Sequence, residues 1–136
     1  MSVLGELQPN KVFKYFEEIC SIPHGSRNLQ QISDYLVDFA KAHELKYRQD
    51  EDLNVIIWKD GSKGYEASEP VILQGHMDMV AVKEADCDKD MEKEGLDLEI
   101  NGDYISAKGT SLGGDDGIAV AYTCLLYTSD AADDLI

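Results

Sequence analysis

Positive charge is scarce in this chain: its 136 residues carry 12 Lys and Arg against 27 Asp and Glu, a formal net charge of −15. A nucleic-acid partner is excluded on this ground, because each phosphate contact needs a cation that the chain rarely supplies. An acidic surface otherwise serves solubility and selects no partner. Long apolar runs are missing too. No stretch approaches the ~20 residues that span a bilayer, so no membrane partner is expected. Residues Met1–Glu6 show neither the basic start nor the apolar core of a secretory leader. Cysteine is limited to Cys20, Cys87 and Cys124, an odd set with no close pair. A disulfide framework is therefore not expected, and a reducing compartment, the cytoplasm, fits best.

What remains is an ordinary globular composition, 43 % hydrophobic and 8 % aromatic, with room for one domain and a modest core. Val12, Phe13, Phe16, Ile19 and Cys20 recur at helical spacing, and Pro9 suits a first turn, which predicts a helix over about 9–20. Ser21-Ile-Pro-His-Gly-Ser26 breaks it. Ser26 or Asn28 is expected to cap a second helix, whose face is Leu29, Ile32, Leu36 and Phe39 and which fades near Leu45.

Short β-prone runs follow at 46–49 and 54–58. Pro70-Val-Ile-Leu-Gln74 reads as a strand buried on both faces of a sheet. An acidic loop spans Lys83–Asp97. Leu98–Ile100 and Tyr104–Ala107 flank Asn101-Gly-Asp103, a hairpin signal. Gly109-Thr-Ser-Leu-Gly-Gly114 then leads to Asp115-Asp-Gly117 and an apolar run opening a helix. Helices ahead of such strands imply an α/β domain with a mixed central sheet and flanking helices.

Two places carry chemistry. His76 and Asp78 lie just past the expected strand Val71–Gln74, where period-two alternation sends both to one face. An imidazole there can bind metal while the carboxylate orients its ring. The same residues could equally be a surface His and Asp at a strand end. Asp115 follows two glycines at a helix mouth, where a tight turn brings a carboxylate close to other backbone. Such a group can bridge two metal ions, or it can simply cap the helix. Asp86-Cys-Asp-Lys-Asp90 invites a calcium-loop reading but has Met91 where the motif needs Gly and Asp97 where it needs Glu, so a solvated loop is expected. Cys20 is read as a core residue, His24 as a local hydrogen-bonding group or a substrate contact, and His43 as a solvated helix-end cation.

Three motifs in order carry a family resemblance: Cys20-Ser-Ile-Pro-His-Gly-Ser26, Val71-Ile-Leu-Gln-Gly-His-Met-Asp-Met-Val80, and Gly109-Thr-Ser-Leu-Gly-Gly-Asp-Asp-Gly117. Over residues 1 to about 122 the chain resembles the aminoacyl-histidine (cytosol non-specific, Xaa-His) dipeptidase branch of the paired-zinc exopeptidases. That resemblance implies the N-terminal part of a zinc-exopeptidase catalytic domain, truncated. It implies two Zn2+ per complete site, with Co2+ or Mn2+ as substitutes, His76 and Asp115 as metal ligands, and Asp78 as the residue orienting His76. It further implies a cis Asp115–Asp116 peptide, a dipeptide substrate and a homodimeric full-length enzyme. Related deacylases carry Met-Lys-Gly-Gly after the bridging Asp, whereas Asp116-Gly-Ile118 stands here, which favours the dipeptidase branch. The family's glutamate pair and distal ligands are not found before Ile136, so the chain alone is expected to be inert.

Residues 1–123 are read as the catalytic-domain portion. The remaining 124–136, beginning Cys124-Leu-Leu-Tyr-Thr-Ser-Asp, resemble translated sequencing-library adapter and are expected to carry no evolved function. Two alternatives stay open: a related paired-metal deacylase or aminopeptidase, and a non-enzymatic acidic module using Asp86–Asp97 for calcium or a basic partner.

Overall fold

The structure, a computed structural model, describes residues 1–128. Residues 129–136, and with them most of the expected adapter-like tail, lie outside the described residues. Helix α1 spans Asn10–Cys20 and buries Val12, Tyr15, Phe16, Ile19 and Cys20, the stripe its spacing predicts. Ahead of it, the N–H groups of Val3 (2.5 Å) and Leu4 (3.2 Å) and the hydroxyl of Ser2 (2.7 Å) donate to the Glu17 carboxylate. These bonds hold Leu4 at 1 % exposure in the core.

Helix α2 spans Gln30–Ala42. Its apolar face is as read, but its cap is not. Leu29 occupies the N-cap with no side-chain bond to the helix. Ser26 donates instead to Asp78 (2.6 Å), and the Asn28 amide donates to the Glu92 carbonyl (3.0 Å). Distant partners, one of them charged, outcompete a local cap at both positions. Inside α2, Ser33 is fully buried; its hydroxyl donates to the Leu53 carbonyl and accepts from Gln49 Nε2, both at 2.7 Å. Tyr15 and Phe39 meet edge-to-face at 5.6 Å, joining α1 to α2.

Strands β1 (Lys46–Gln49) and β2 (Val55–Trp58) pair antiparallel, with Lys46 opposite Trp58. Strands β3 (Leu98–Asn101) and β4 (Tyr104–Ala107) form the expected hairpin, with Leu98 opposite Ala107 and Gly102 at φ +60° in its turn. The α/β character holds. The mixed central sheet is represented among the described residues by these two separate ribbons and three isolated bridges, one parallel (Gly25 with Met79) and two antiparallel (Lys83 and Ala107, each with Thr110).

Pro70–Gln74 is not a strand. It has no ladder partner among the described residues, and Val71 is 80 %, Ile72 88 % and Leu73 43 % exposed. Apolar composition marks a segment suited to a sheet interior, but a strand forms only where neighbours supply ladder partners.

Helix α3 spans Gly114–Thr128, with non-helical dihedrals at Asp115 and Asp116. It packs on α1 through Gly117, where an added Cβ would lie 3.3 Å from Phe16 Cε2 and 3.8 Å from Ile19 Cγ2. The helix continues past the boundary drawn at 123: Cys124 is buried, and the Tyr127 hydroxyl donates to the Ile57 carbonyl at 3.0 Å.

Burial pushes the thiols of Cys20 and Cys124 up to about 12. The thiolate is the reactive form, so neither should alkylate in the folded chain. Iodoacetamide at pH 8 is expected to label the half-buried Cys87 first, and the other two only on unfolding. Peptide mapping by mass spectrometry that finds Cys20 or Cys124 labelled as fast as Cys87 contradicts this packing.

Candidate metal centre

Three chain segments meet at His76. The first is the stretch Gly75–Val80, which lies outside any strand. The second is the loop 24–26, bonded to it in parallel: Met79 N–H donates to the His24 carbonyl (3.0 Å) and Ser26 N–H to the Met79 carbonyl (3.1 Å). The third is the glycine-rich turn leading into α3. Ser111 stitches that turn to the segment after Met79, its hydroxyl donating to the Val80 carbonyl (2.6 Å) and its N–H to the Val82 carbonyl (3.0 Å).

Met79, only 3 % exposed, sits between the two flanking segments. Gly113 presses on it: the glycine has φ +73°, and an added Cβ would lie 2.9 Å from Met79 Sδ and 3.0 Å from its Cβ. Only glycine tolerates both the left-handed backbone and the close approach. Gly75 is similarly tight, since a Cβ there would lie 3.0 Å from Asp116 Oδ2.

The outcome is a short chain of polar contacts. His76 Nε2 lies 3.0 Å from Asp115 Oδ1, and His76 Nδ1 lies 3.0 Å from both Asp78 Oδ1 and the Asp78 carbonyl. The Ser26 hydroxyl donates to Asp78 Oδ2 at 2.6 Å. The backbone N–H of His76 donates to Asp116 Oδ2 at 3.1 Å, and the Asp115–Asp116 peptide is cis, the geometry the resemblance implies. Asp78 reaches the imidazole although residues 75–78 are not a strand. Among the described residues, the hydrogen bond found for the Asp115 side chain is to His76 and not to an N–H of α3.

The electrostatics follow from these contacts. The hydrogen bond to Asp115, then those to Asp78, raise the His76 pKa above the ordinary imidazole value. The Ser26 hydroxyl, then His76, hold Asp78 below the usual carboxylate range. His24, only 2 % exposed, is pushed down by burial, and its Nδ1 lies 2.6 Å from the Ile22 carbonyl. That contact is the local hydrogen-bonding role. His43 is exposed and lies against the Phe39 ring at 4.7 Å.

The donor set suits a first-row divalent cation in part. Zinc takes nitrogen and oxygen ligands at ~2.0–2.2 Å, so two donors on one ion stand roughly 3.3 Å apart at a tetrahedral angle. The 3.0 Å between His76 Nε2 and Asp115 Oδ1 needs only a few tenths of an ångström of opening. Asp115 is 95 % exposed on its side chain, so the pair opens to solvent. Among the described residues no group of three or more His, Cys, Asp or Glu gathers around one point. The pair is therefore at most two ligands of a shell.

The acidic loop gathers no cation site either. Lys89 pairs with Asp97 (3.0 Å), Lys93 with Asp90 (3.6 Å), and Asp90 Oδ1 accepts the Glu92 N–H (3.0 Å). The contacts of Ser26, Asp116 and Met79 are not legible in the sequence. All three residues stand inside the quoted motifs, but a contact across 52 residues, as between Ser26 and Asp78, leaves no local periodicity to read.

No protein-family model matches the chain. The chain is 39 % identical over 121 residues to the cytosol non-specific dipeptidase of Escherichia coli (strain K12), covering 89 % of this chain and 25 % of that protein. The crystal structure of aminoacylhistidine dipeptidase from Vibrio alginolyticus superposes with a TM-score of 0.87 at 36 % identity, over 92 % of this chain and 26 % of that one. In fold and in sequence the chain is thus similar to part of a dipeptidase. More narrowly, the chain is related to the cytosol non-specific and aminoacylhistidine dipeptidases, and it spans about a quarter of the length of either relative. No helix among the described residues is long and apolar enough to cross a membrane.

Proposed function

We propose that this chain is a segment of a cytoplasmic, metal-dependent dipeptidase, with His76 and Asp115 as ligands of a divalent cation and Asp78 as the residue that orients His76. The observation that carries the reading is the 3.0 Å approach of His76 Nε2 to Asp115 Oδ1 with the other ring nitrogen held by Asp78. Asp78 accepts a hydrogen bond from Nδ1–H, which keeps that proton on Nδ1 and would leave the Nε2 lone pair for the ion. Asp115, whose second oxygen has no hydrogen bond among the described residues and whose side chain is 95 % exposed, would suit a bridge to a second ion. Zinc bound there, or cobalt or manganese in its place, supplies Lewis-acid polarisation of a scissile carbonyl and acidifies the attacking water.

The substrate of the complete enzyme would be a dipeptide, Xaa-His among the candidates, and the complete enzyme a homodimer. The related names support the dipeptide over an acylated amino acid, as does Asp116-Gly-Ile118 after Asp115. Catalytic zinc is held by three protein ligands, beyond the pair found here. The 136-residue chain should accordingly bind metal weakly and turn over nothing.

Two assays test this. Calorimetry on the purified chain should show zinc binding and no comparable calcium binding; the reverse result would establish the acidic loop as a calcium module. Incubation with Ala-His and zinc should release no free amino acid. Turnover that a chelator and His76→Ala both abolish overturns the inert-chain reading. The longer protein from the source locus, assayed on dipeptides against acylated amino acids, separates dipeptidase from deacylase.

A further inference from the structure

The loop 24–26 does more than connect α1 to α2. It is pressed against the Asp78-bearing segment: a Cβ on Gly25 would lie 2.8 Å from Ala81 Cβ, so only glycine allows the two backbones this close. The parallel bridge between Gly25 and Met79, with the two backbone bonds flanking it, sets where the next side chain points. That side chain is Ser26. Its hydroxyl has one proton and two acceptors in reach, Asp78 Oδ2 at 2.6 Å and the Met79 carbonyl at 3.5 Å. The shorter bond, to a charged acceptor, wins.

We infer that Ser26 is a positioning residue: by holding one oxygen of Asp78, it turns the other onto His76 Nδ1 and so fixes the ring in the tautomer that leaves Nε2 free for a metal. The inference rests on the metal-site reading above. A carboxylate bonded at one oxygen only is free to swing about its terminal torsion, which is broad and roughly two-fold. With Oδ2 occupied by Ser26, Oδ1 is the oxygen left for the imidazole, and it lies 3.0 Å from Nδ1. A neutral imidazole that donates from Nδ1 carries its lone pair on Nε2, the atom a metal would take; without an ion, Nε2–H can donate to Asp115 Oδ1 at 3.0 Å instead, so Asp78 and Asp115 compete for the proton of the neutral ring. Loss of the Ser26 hydroxyl would release the Asp78 carboxylate and leave Nδ1 with the Asp78 carbonyl, at 3.0 Å, as the weaker acceptor holding the ring.

The test uses the purified 136-residue chain, its Ser26→Ala and Ser26→Thr variants, and two readouts. The first is nitrogen-15 NMR of the imidazoles in metal-free protein, at a pH where His76 is neutral. Ser26→Ala should raise the Nε2–H tautomer at His76 while His24 and His43 stay unchanged. Ser26→Thr, which keeps the hydroxyl, should restore the wild-type tautomer. The second is zinc calorimetry. Affinity should fall roughly three- to tenfold in Ser26→Ala, less than the ~10–100-fold typical of a ligand's direct partner, and recover in Ser26→Thr. A wild-type tautomer ratio in Ser26→Ala overturns the inference, as does a Thr variant that behaves like Ala. If zinc binding depends on His76 but neither readout moves in Ser26→Ala, the metal site stands and the positioning role falls. If the tautomer shifts while wild-type protein binds no zinc, the role of Ser26 in orienting the ring stands and the metal reading falls.

Discussion

His76→Ala is expected to abolish detectable zinc binding by the chain, with helix content and thermal midpoint nearly unchanged. The imidazole is half-exposed on its side chain and contributes little to the core, so its removal costs packing little. It is, however, the sole nitrogen donor of the pair, and with it gone a single exposed carboxylate remains, which holds a transition metal poorly at neutral pH. Asp78→Asn should weaken binding less, by about 10–100-fold, because it disturbs a ligand's partner rather than the ligand. His43→Ala is the control for adventitious imidazole binding, since that ring is exposed and lies against Phe39 instead of a carboxylate. Isothermal titration with zinc on the three variants reads the order directly. Stoichiometric zinc binding retained in His76→Ala but lost in His43→Ala would place the metal elsewhere.

Gly113→Ala should be the most damaging single-methyl change near the site, costing about 2–4 kcal/mol. Part of that is the left-handed backbone at φ +73°, which a β-carbon disfavours by roughly 1–2 kcal/mol. The rest is the collision with Met79, whose Cβ cannot step aside as a flexible tip could. Gly102→Ala separates the two effects. That glycine also has positive φ (+60°), but nothing lies within 4 Å of an added Cβ, so only the backbone cost of ~1–2 kcal/mol applies. Because Met79 bonds the 24–26 loop on one side and meets the Gly113 turn on the other, Gly113→Ala should also separate Asp115 from His76 and lower zinc affinity. Urea unfolding of both variants decides the matter. Equal losses at the two glycines would mean that the Met79 contact contributes nothing.

Much of the fold could be read from local pattern. The stripe from Val12 to Cys20 and the stripe from Ile32 to Phe39 become the buried faces of α1 and α2, because a 3.6-residue period is a property of the helix alone. Asn101-Gly102 becomes the hairpin turn for the same kind of reason: a positive φ is needed there, and glycine supplies it. The three motifs in their order also sufficed to name the dipeptidase branch.

Other features depended on contacts between distant residues. Val71–Leu73 has a strand's composition but no ladder partner among the described residues, and apolar sequence cannot provide its own neighbours. Ser26 and Asn28 have the chemistry of helix caps, yet Asp78 and the Glu92 carbonyl, 52 and 64 residues away in the chain, claim them. Leu4 is drawn into the core by Glu17, which no pattern announced.

The sequence by itself determined the two amphipathic helices, the 98–107 hairpin and the residue types able to hold a metal, since each follows from backbone periodicity or side-chain chemistry within a few residues. Tertiary structure alone decided that His76 faces Asp115, that Ser26 serves Asp78 instead of a helix, and that Met79 pins both halves of the site. Those are distances between segments dozens of residues apart, and only the close packing of Gly25, Gly75 and Gly113 against their neighbours determines them.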